Sequence, residues 1–163
     1  MYERLGDLNA YALVREHFAL LGTAIQNHSG AVVKTIGDAV MAVFSRPTDA
    51  VAAALGILQQ IERYNAEHGN PSFILKIGAH CGPSIAVTLN ENLDYFGQTV
   101  NVAARVQSLA GAGEICISEA LYSAPGVSDL LSGHEVIPFD APLHGVEGNA
   151  CVYRIVRQQV PLA

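Results

Sequence analysis

Asp38 lies at the tip of a predicted hairpin, between the apolar, β-branched runs 31–36 and 39–44 that flank Gly37-Asp38. An aspartate at such a place ordinarily serves the turn itself by bonding its own backbone. Lys34 is less ordinary, because it interrupts an otherwise apolar strand. It either snorkels out at a sheet edge or reaches into a site. Further along, Asn101 and Arg105 are four residues apart in a predicted helix and project from one face, where they can touch a common partner. Read alone, such a pair is an ordinary solvated face.

The elements that must position these residues are legible from periodicity. Val14, Phe18, Leu21 and Ile25 mark one face of a helix over 7–27, which ends near Ser29-Gly30 and leads into the hairpin. Residues 45–48 read as a loop with a helix N-cap, and Val51, Leu55, Leu58 and Ile61 line a second helix to about residue 68, slightly weakened by Gly56. Asn70-Pro71 breaks the chain; 72–81 reads as a strand, turned by Gly82-Pro83, and 84–89 as its return. A helix over 97–109 offers Val100, Ala103, Ala104 and Val106 for packing, and a strand follows at 114–117. Ser118 caps a short helix, and 136–139 and 151–156 are closing strands. This order predicts an α+β fold, an antiparallel sheet covered by helices on one face. A ferredoxin-like βαββαβ unit needs a strand before the first helix, and Met1 begins too late to supply it.

Composition bounds the function. With 163 residues, 50% hydrophobic and 15% charged, the chain suits a single domain, 1–163, with a substantial core. A net charge of −6 and the lack of any basic run argue against a nucleic-acid partner. Cys81, Cys116 and Cys151 are far apart and set in apolar runs, the pattern of reduced thiols in a cytoplasmic protein. No apolar stretch approaches the roughly 20 residues of a membrane span, so no membrane contact is expected. Phosphate-loop and dinucleotide glycine motifs are missing from the sequence, and His17, His28, His68, His80 and His134 lack ligand spacing. Ser84 and Ser118 show no triad arrangement, and His80 reads as a satisfied core or interface histidine.

Three ordered stretches carry a resemblance: Val33-Lys34-Thr35-Ile36-Gly37-Asp38-Ala39-Val40-Met41-Ala42-Val43-Phe44, Lys76-Ile77-Gly78-Ala79-His80-Cys81-Gly82, and Asp94-Tyr95-Phe96-Gly97 through Val100-Asn101-Val102-Ala103-Ala104-Arg105. Together they resemble the class III nucleotidyl cyclase catalytic domain, of adenylyl type, over nearly the whole chain. The resemblance implies a ferredoxin-like core acting as a head-to-tail homodimer whose active sites draw residues from both protomers. Its reaction is attack of a ribose 3′-oxygen on the α-phosphate of the same nucleotide, giving a cyclic 3′,5′-monophosphate and pyrophosphate. It further implies two divalent ions, Mg²⁺ or Mn²⁺, with Asp38 as a metal ligand. Lys34 and Asp94 match the pair that selects the base, which favours ATP over GTP. Arg105 matches the arginine that stabilises phosphoryl charge, and Asn101 the asparagine that orients the ribose.

Two positions depart from the pattern. The family's first strand, with its other metal-binding aspartate, would fall just before Met1, so the chain reads as truncated at its N-terminus relative to the family. His144, in Leu143-His144-Gly145, stands where many relatives carry a phosphate-gripping lysine, and reads equally as a surface-loop histidine. The expected function is an adenylate cyclase domain at the effector end of a signalling protein, downstream of a regulatory domain. The alternative is a cyclase-homology module that dimerises or binds nucleotide without turning it over.

Overall fold

The computed structural model describes residues 7–68, 73–89, 92–143 and 148–156. Helix α1 (Asp7–Asn27) runs over the expected span and buries Leu21, Ala24 and Ile25. Ser29 closes it with a φ of 57°, a left-handed conformation uncommon for a residue with a side chain. Strands β1 (Gly30–Ile36) and β2 (Ala39–Phe44) pair antiparallel around Gly37-Asp38. Gly37 has a φ of 62° and Asp38 lacks a positive φ, the sign pattern of a type II′ turn, whose twist suits a two-residue hairpin. Gly30 is needed for packing, since a Cβ there would lie 2.3 Å from the Phe44 ring.

Helix α2 (Pro47–Glu67) starts with proline at its first turn, where the missing N–H costs nothing. Its N-cap is Arg46, with no side-chain cap. The Arg46 guanidinium instead donates to Asp49 from Nε at 2.8 Å and Nη2 at 3.0 Å. Gly56 lies within the unbroken α2, where a Cβ would stand 3.2 Å from the His28 ring.

The chain continues through β3 (Lys76–Ala79), β4 (Ile85–Leu89), β5 (Asn92–Phe96), α3 (Gln98–Ser108), β6 (Glu114–Ser118), α4 (Glu119–Tyr122), α5 (Val127–Leu130), β7 (Glu135–Pro142) and β8 (Asn149–Val156). The α+β class holds, with β3-β6-β8-β7 forming a four-stranded sheet beside the β1-β2 and β4-β5 hairpins. Pairing differs from the sequence expectation in one place. Strand β3 does not turn back onto β4; it pairs parallel with β6, while β4 pairs antiparallel with β5, a strand the sequence did not announce. Gly82-Pro83 does break the chain, but strand partners are chosen by tertiary packing.

Helices also cover both faces of the four-stranded sheet. Ile115 and Ile117 of β6 pack with Val51, Ala54 and Leu58 of α2 and with Leu121 and Val127. Cys116, between them, packs with Val102 and Val106 of α3 and with Val152. Period-2 alternation thus assigns α2 to one face and α3 to the other. On α3 the buried residues are Val102 and Val106, with Val100 and Ala103 half-buried and Ala104 exposed. Contact between α3 and β3 is intimate: a Cβ on Gly78 would stand 2.1 Å from the Gln107 backbone. A third cluster joins Leu21, Ala24 and Ile25 of α1 to Ile57 and Ile61 of α2 and to Phe73, with Val40, Ala42 and Phe44 of β2 against it.

Candidate functional site

Lys34 reaches its position through a defect in β1. Between Val32, opposite Ala42, and Lys34, opposite Met41, the register shifts by one residue, leaving Val33 as a bulge. A bulge re-aims the side chain that follows it. The ammonium of Lys34 donates to both oxygens of Asp94 on β5, at 2.9 Å to Oδ1 and 2.7 Å to Oδ2. Phe96, two residues on and so on the same face of β5, places its ring centroid 5.6 Å from the same nitrogen. The lysine is therefore neither core nor freely snorkelling.

Asp94 is further fixed by the Tyr95 amide, which donates to Oδ1 at 2.8 Å. The Lys34 bond first, and the Tyr95 amide second, hold its carboxyl below the ordinary carboxylate range, against the small opposing effect of burial. With 17% of the Asp94 side chain and 38% of the Lys34 side chain accessible, the pair has a wet edge at which a ligand can compete. A donor and an acceptor side by side can read a heterocycle that presents the complementary pair.

Asp38 is exposed at the hairpin tip. Its carboxylate makes no bond to the described residues, but its main-chain carbonyl accepts from His17 Nε2 at 3.2 Å. Hard cations such as Mg²⁺ bind through one or two carboxylates plus substrate phosphates, and an open carboxylate at an exposed turn fits that pattern as one ligand. Among the described residues, no group of three His, Cys, Asp or Glu side chains converges on a common point.

Asn101 and Arg105 follow from α3. Gly97 precedes the helix with a φ of 128°, a conformation that L side chains rarely adopt. It swings the chain from the strand bearing Asp94 into the helix bearing the other two. Asn101 is exposed and Arg105 half-buried, one turn apart, beside the buried Val102 and Val106. The structure brings Lys34 to Asp94 directly and sets Asn101 and Arg105 on the next element; no described contact joins Asp38 to these four. Neither of two cavities, of about 340 and 410 Å³, is lined by any of the five. His144 lies outside the described residues.

His80 is satisfied as anticipated, its Nδ1 2.7 Å from Ser118 Oγ, and burial pushes its pKa down. Ser118 Oγ also accepts from the Leu121 amide, as the cap expected for α4. The residue that sequence reasoning passed over is His17, grouped there with histidines of no useful spacing. Its partner is a carbonyl 21 residues away, for which sequence holds no signal. No described helix is long and apolar enough to cross a membrane.

Comparison with known proteins places the chain in a family. Residues 1–130 match the family described as adenylate and guanylate cyclase catalytic domain. The putative adenylate cyclase 3 of Rhizobium meliloti (strain 1021) is 32% identical over 123 residues, covering 72% of this chain and 20% of that protein. The adenylate cyclase of Anabaena cylindrica is 30% identical over 122 residues, covering 67% of this chain and 24% of that protein. The chain thus spans about a quarter or less of the length of these relatives. Among solved structures, the catalytic core of a rhodopsin-guanylyl cyclase with converted specificity, in complex with ATPαS, superposes with a TM-score of 0.80 at 25% identity, covering 97% of this chain and 88% of that one. The adenylyl cyclase CyaB of P. aeruginosa shares the fold with a TM-score of 0.73 at 21% identity, over 99% of this chain and 89% of that one.

Proposed function

The chain belongs to the adenylate and guanylate cyclase catalytic-domain family, and from that premise we propose that it is an adenylate cyclase domain converting ATP to 3′,5′-cyclic AMP and pyrophosphate. The carrying observation is the Lys34–Asp94 pair, bridged at 2.7 Å across 60 residues of sequence. Adenine presents an amino donor beside a ring-nitrogen acceptor; Asp94 accepts from the first and Lys34 donates to the second. The related rhodopsin-guanylyl cyclase core of converted specificity, solved with ATPαS, supports the view that this fold takes an adenine nucleotide.

Asn101 orients the ribose so that its 3′-oxygen lies in line with the α-phosphate, the near-attack geometry that removes most of the entropic cost. Arg105, one helical turn away, lays a planar multi-donor cation against the phosphoryl oxygens as charge builds on them. Asp38 would be a ligand of a divalent ion, Mg²⁺ or Mn²⁺, which would supply charge stabilisation for the alkoxide and the polyphosphate. His144 is assigned a weaker phosphate contact.

The protein works as a homodimer with shared sites. Two observations support this: no described contact joins Asp38 to the other four residues, and the β4–β5 hairpin beside them exposes Ile85, Leu93 and Phe96, apolar surface of the kind that marks an interface. Its place is the cytoplasm, as the effector of a longer signalling protein.

The test is incubation of the purified chain with Mn²⁺ and ATP, quantifying cyclic AMP and pyrophosphate by mass spectrometry. Product that falls by about 10² or more in Arg105→Ala supports the reading. Bound ATP without product identifies a nucleotide-binding module and overturns it.

A further inference from the structure

His17 sits in α1, outside the set of residues assigned to chemistry, yet touches the one that matters most for metal. Its ring is buried, between Phe18 at a centroid distance of 5.4 Å and Phe73 at 5.3 Å. Nε2 lies 3.2 Å from the Asp38 carbonyl; since a carbonyl only accepts, Nε2 carries the proton and donates. In the hairpin ladder Ile36 pairs with Ala39, which leaves the carbonyl of the second turn residue unused by the strands. The helix supplies what the hairpin cannot.

Packing alone does not call for an imidazole here. Nδ1 is buried with no partner among the described residues, and leaving a buried polar atom unpaired costs at least as much as one neutral hydrogen bond returns. Phenylalanine or leucine would fill the space between two aromatic rings without that cost. The gain from histidine is therefore directional. A donor on the Asp38 carbonyl stops the Asp38–Ala39 peptide from rotating, and that peptide sets the direction of the Asp38 Cα–Cβ bond.

We infer that His17 is a positioning residue for Asp38, holding the turn from behind so that the carboxylate keeps the direction a metal ion requires. The inference rests on the metal-holding role proposed for Asp38. It assigns to α1, and to its packing against Phe73, a part in the affinity of the site for divalent ions.

The experiment compares the unmodified chain with His17→Phe, His17→Gln and Asp38→Asn. Mn²⁺ binding is read by electron paramagnetic resonance in the presence of 3′-deoxy-ATP, which lacks the attacking oxygen. His17→Phe, with His17→Leu as a smaller apolar replacement, weakens Mn²⁺ binding about tenfold, the lower end of what supporting partners contribute. Affinity for 3′-deoxy-ATP without metal stays unchanged. His17→Gln, whose amide nitrogen stands where Nε2 stood, restores Mn²⁺ binding. Equal weakening in Phe and Gln, or none in Phe and Leu, overturns the inference while leaving the cyclase reading intact. Unchanged Mn²⁺ binding in Asp38→Asn removes the metal role of that carboxylate, and this inference with it.

Discussion

Ile117 and Ile36 are the same residue type in strands of one molecule, yet Ile117 is fully buried and Ile36 is 62% exposed. The difference runs through the whole architecture. Around Ile117 the four-stranded sheet is enclosed by α2 on one face and α3 on the other, and most of the largest fully buried side chains belong to that sandwich. Around Ile36 the β1–β2 and β4–β5 hairpins meet through an ion pair, a cation over an aromatic ring and a bulge. Hydrophobic burial makes the first region insensitive to what binds. The second is held by directional contacts that a ligand can replace, which is why the candidate site lies there.

Substitutions sharpen this contrast. Ile117→Ala removes methyl groups from a site with no room to relax and costs about 2–5 kcal/mol in urea or thermal unfolding. Gly78→Ala drives a methyl into the Gln107 backbone and costs about 1–3 kcal/mol, more if α3 cannot shift. At the other pole, Lys34→Ala leaves the melting temperature nearly unmoved while lowering discrimination between ATP and GTP in competition binding. Equal losses of stability at Lys34 and Ile117 would break the comparison. Ile36→Ala changes stability by no more than about 0.5 kcal/mol.

Acid separates the regions in the same way. Because Lys34 lowers the folded-state pKa of Asp94, the pair stabilises the fold fully above the ordinary carboxylate value, about pH 4. That contribution is lost as pH falls through the lowered folded value. Melting curves of the unmodified chain and Asp94→Asn should therefore coincide below that range and separate above it only by the small margin expected for Lys34→Ala, since the pair is solvent-accessible.

How much of this was legible in the sequence follows from the range of each interaction. Helix α1 and the hairpin declared themselves, because Leu21 and Ile25 repeat at helical spacing and Gly37-Asp38 supplies its own turn chemistry. The three stretches resembling a cyclase identified the family, which the match over residues 1–130 bears out. Strand β5 stayed hidden because Asn92 and Asp94 are poor strand formers and its partner β4 was read as the return of another strand. The bulge at Val33 and the bond from His17 to Asp38 were hidden for a deeper reason: both are choices between distant segments. Period alone showed that α3 has an apolar face, while only the fold shows that this face meets Cys116 and leaves Ile115 and Ile117 to α2.

Gly78 carries a mechanical consequence. With the Gln107 backbone set against it at a distance no side chain would permit, α3 has no lubricating layer between itself and β3 along which to slide. Helix and strand form one lever arm, whose only glycine joint on the β5 side is Gly97. Gln107 lies two residues beyond Arg105 on α3, so any displacement of β3 at Gly78 presses on the helix that carries Asn101 and Arg105.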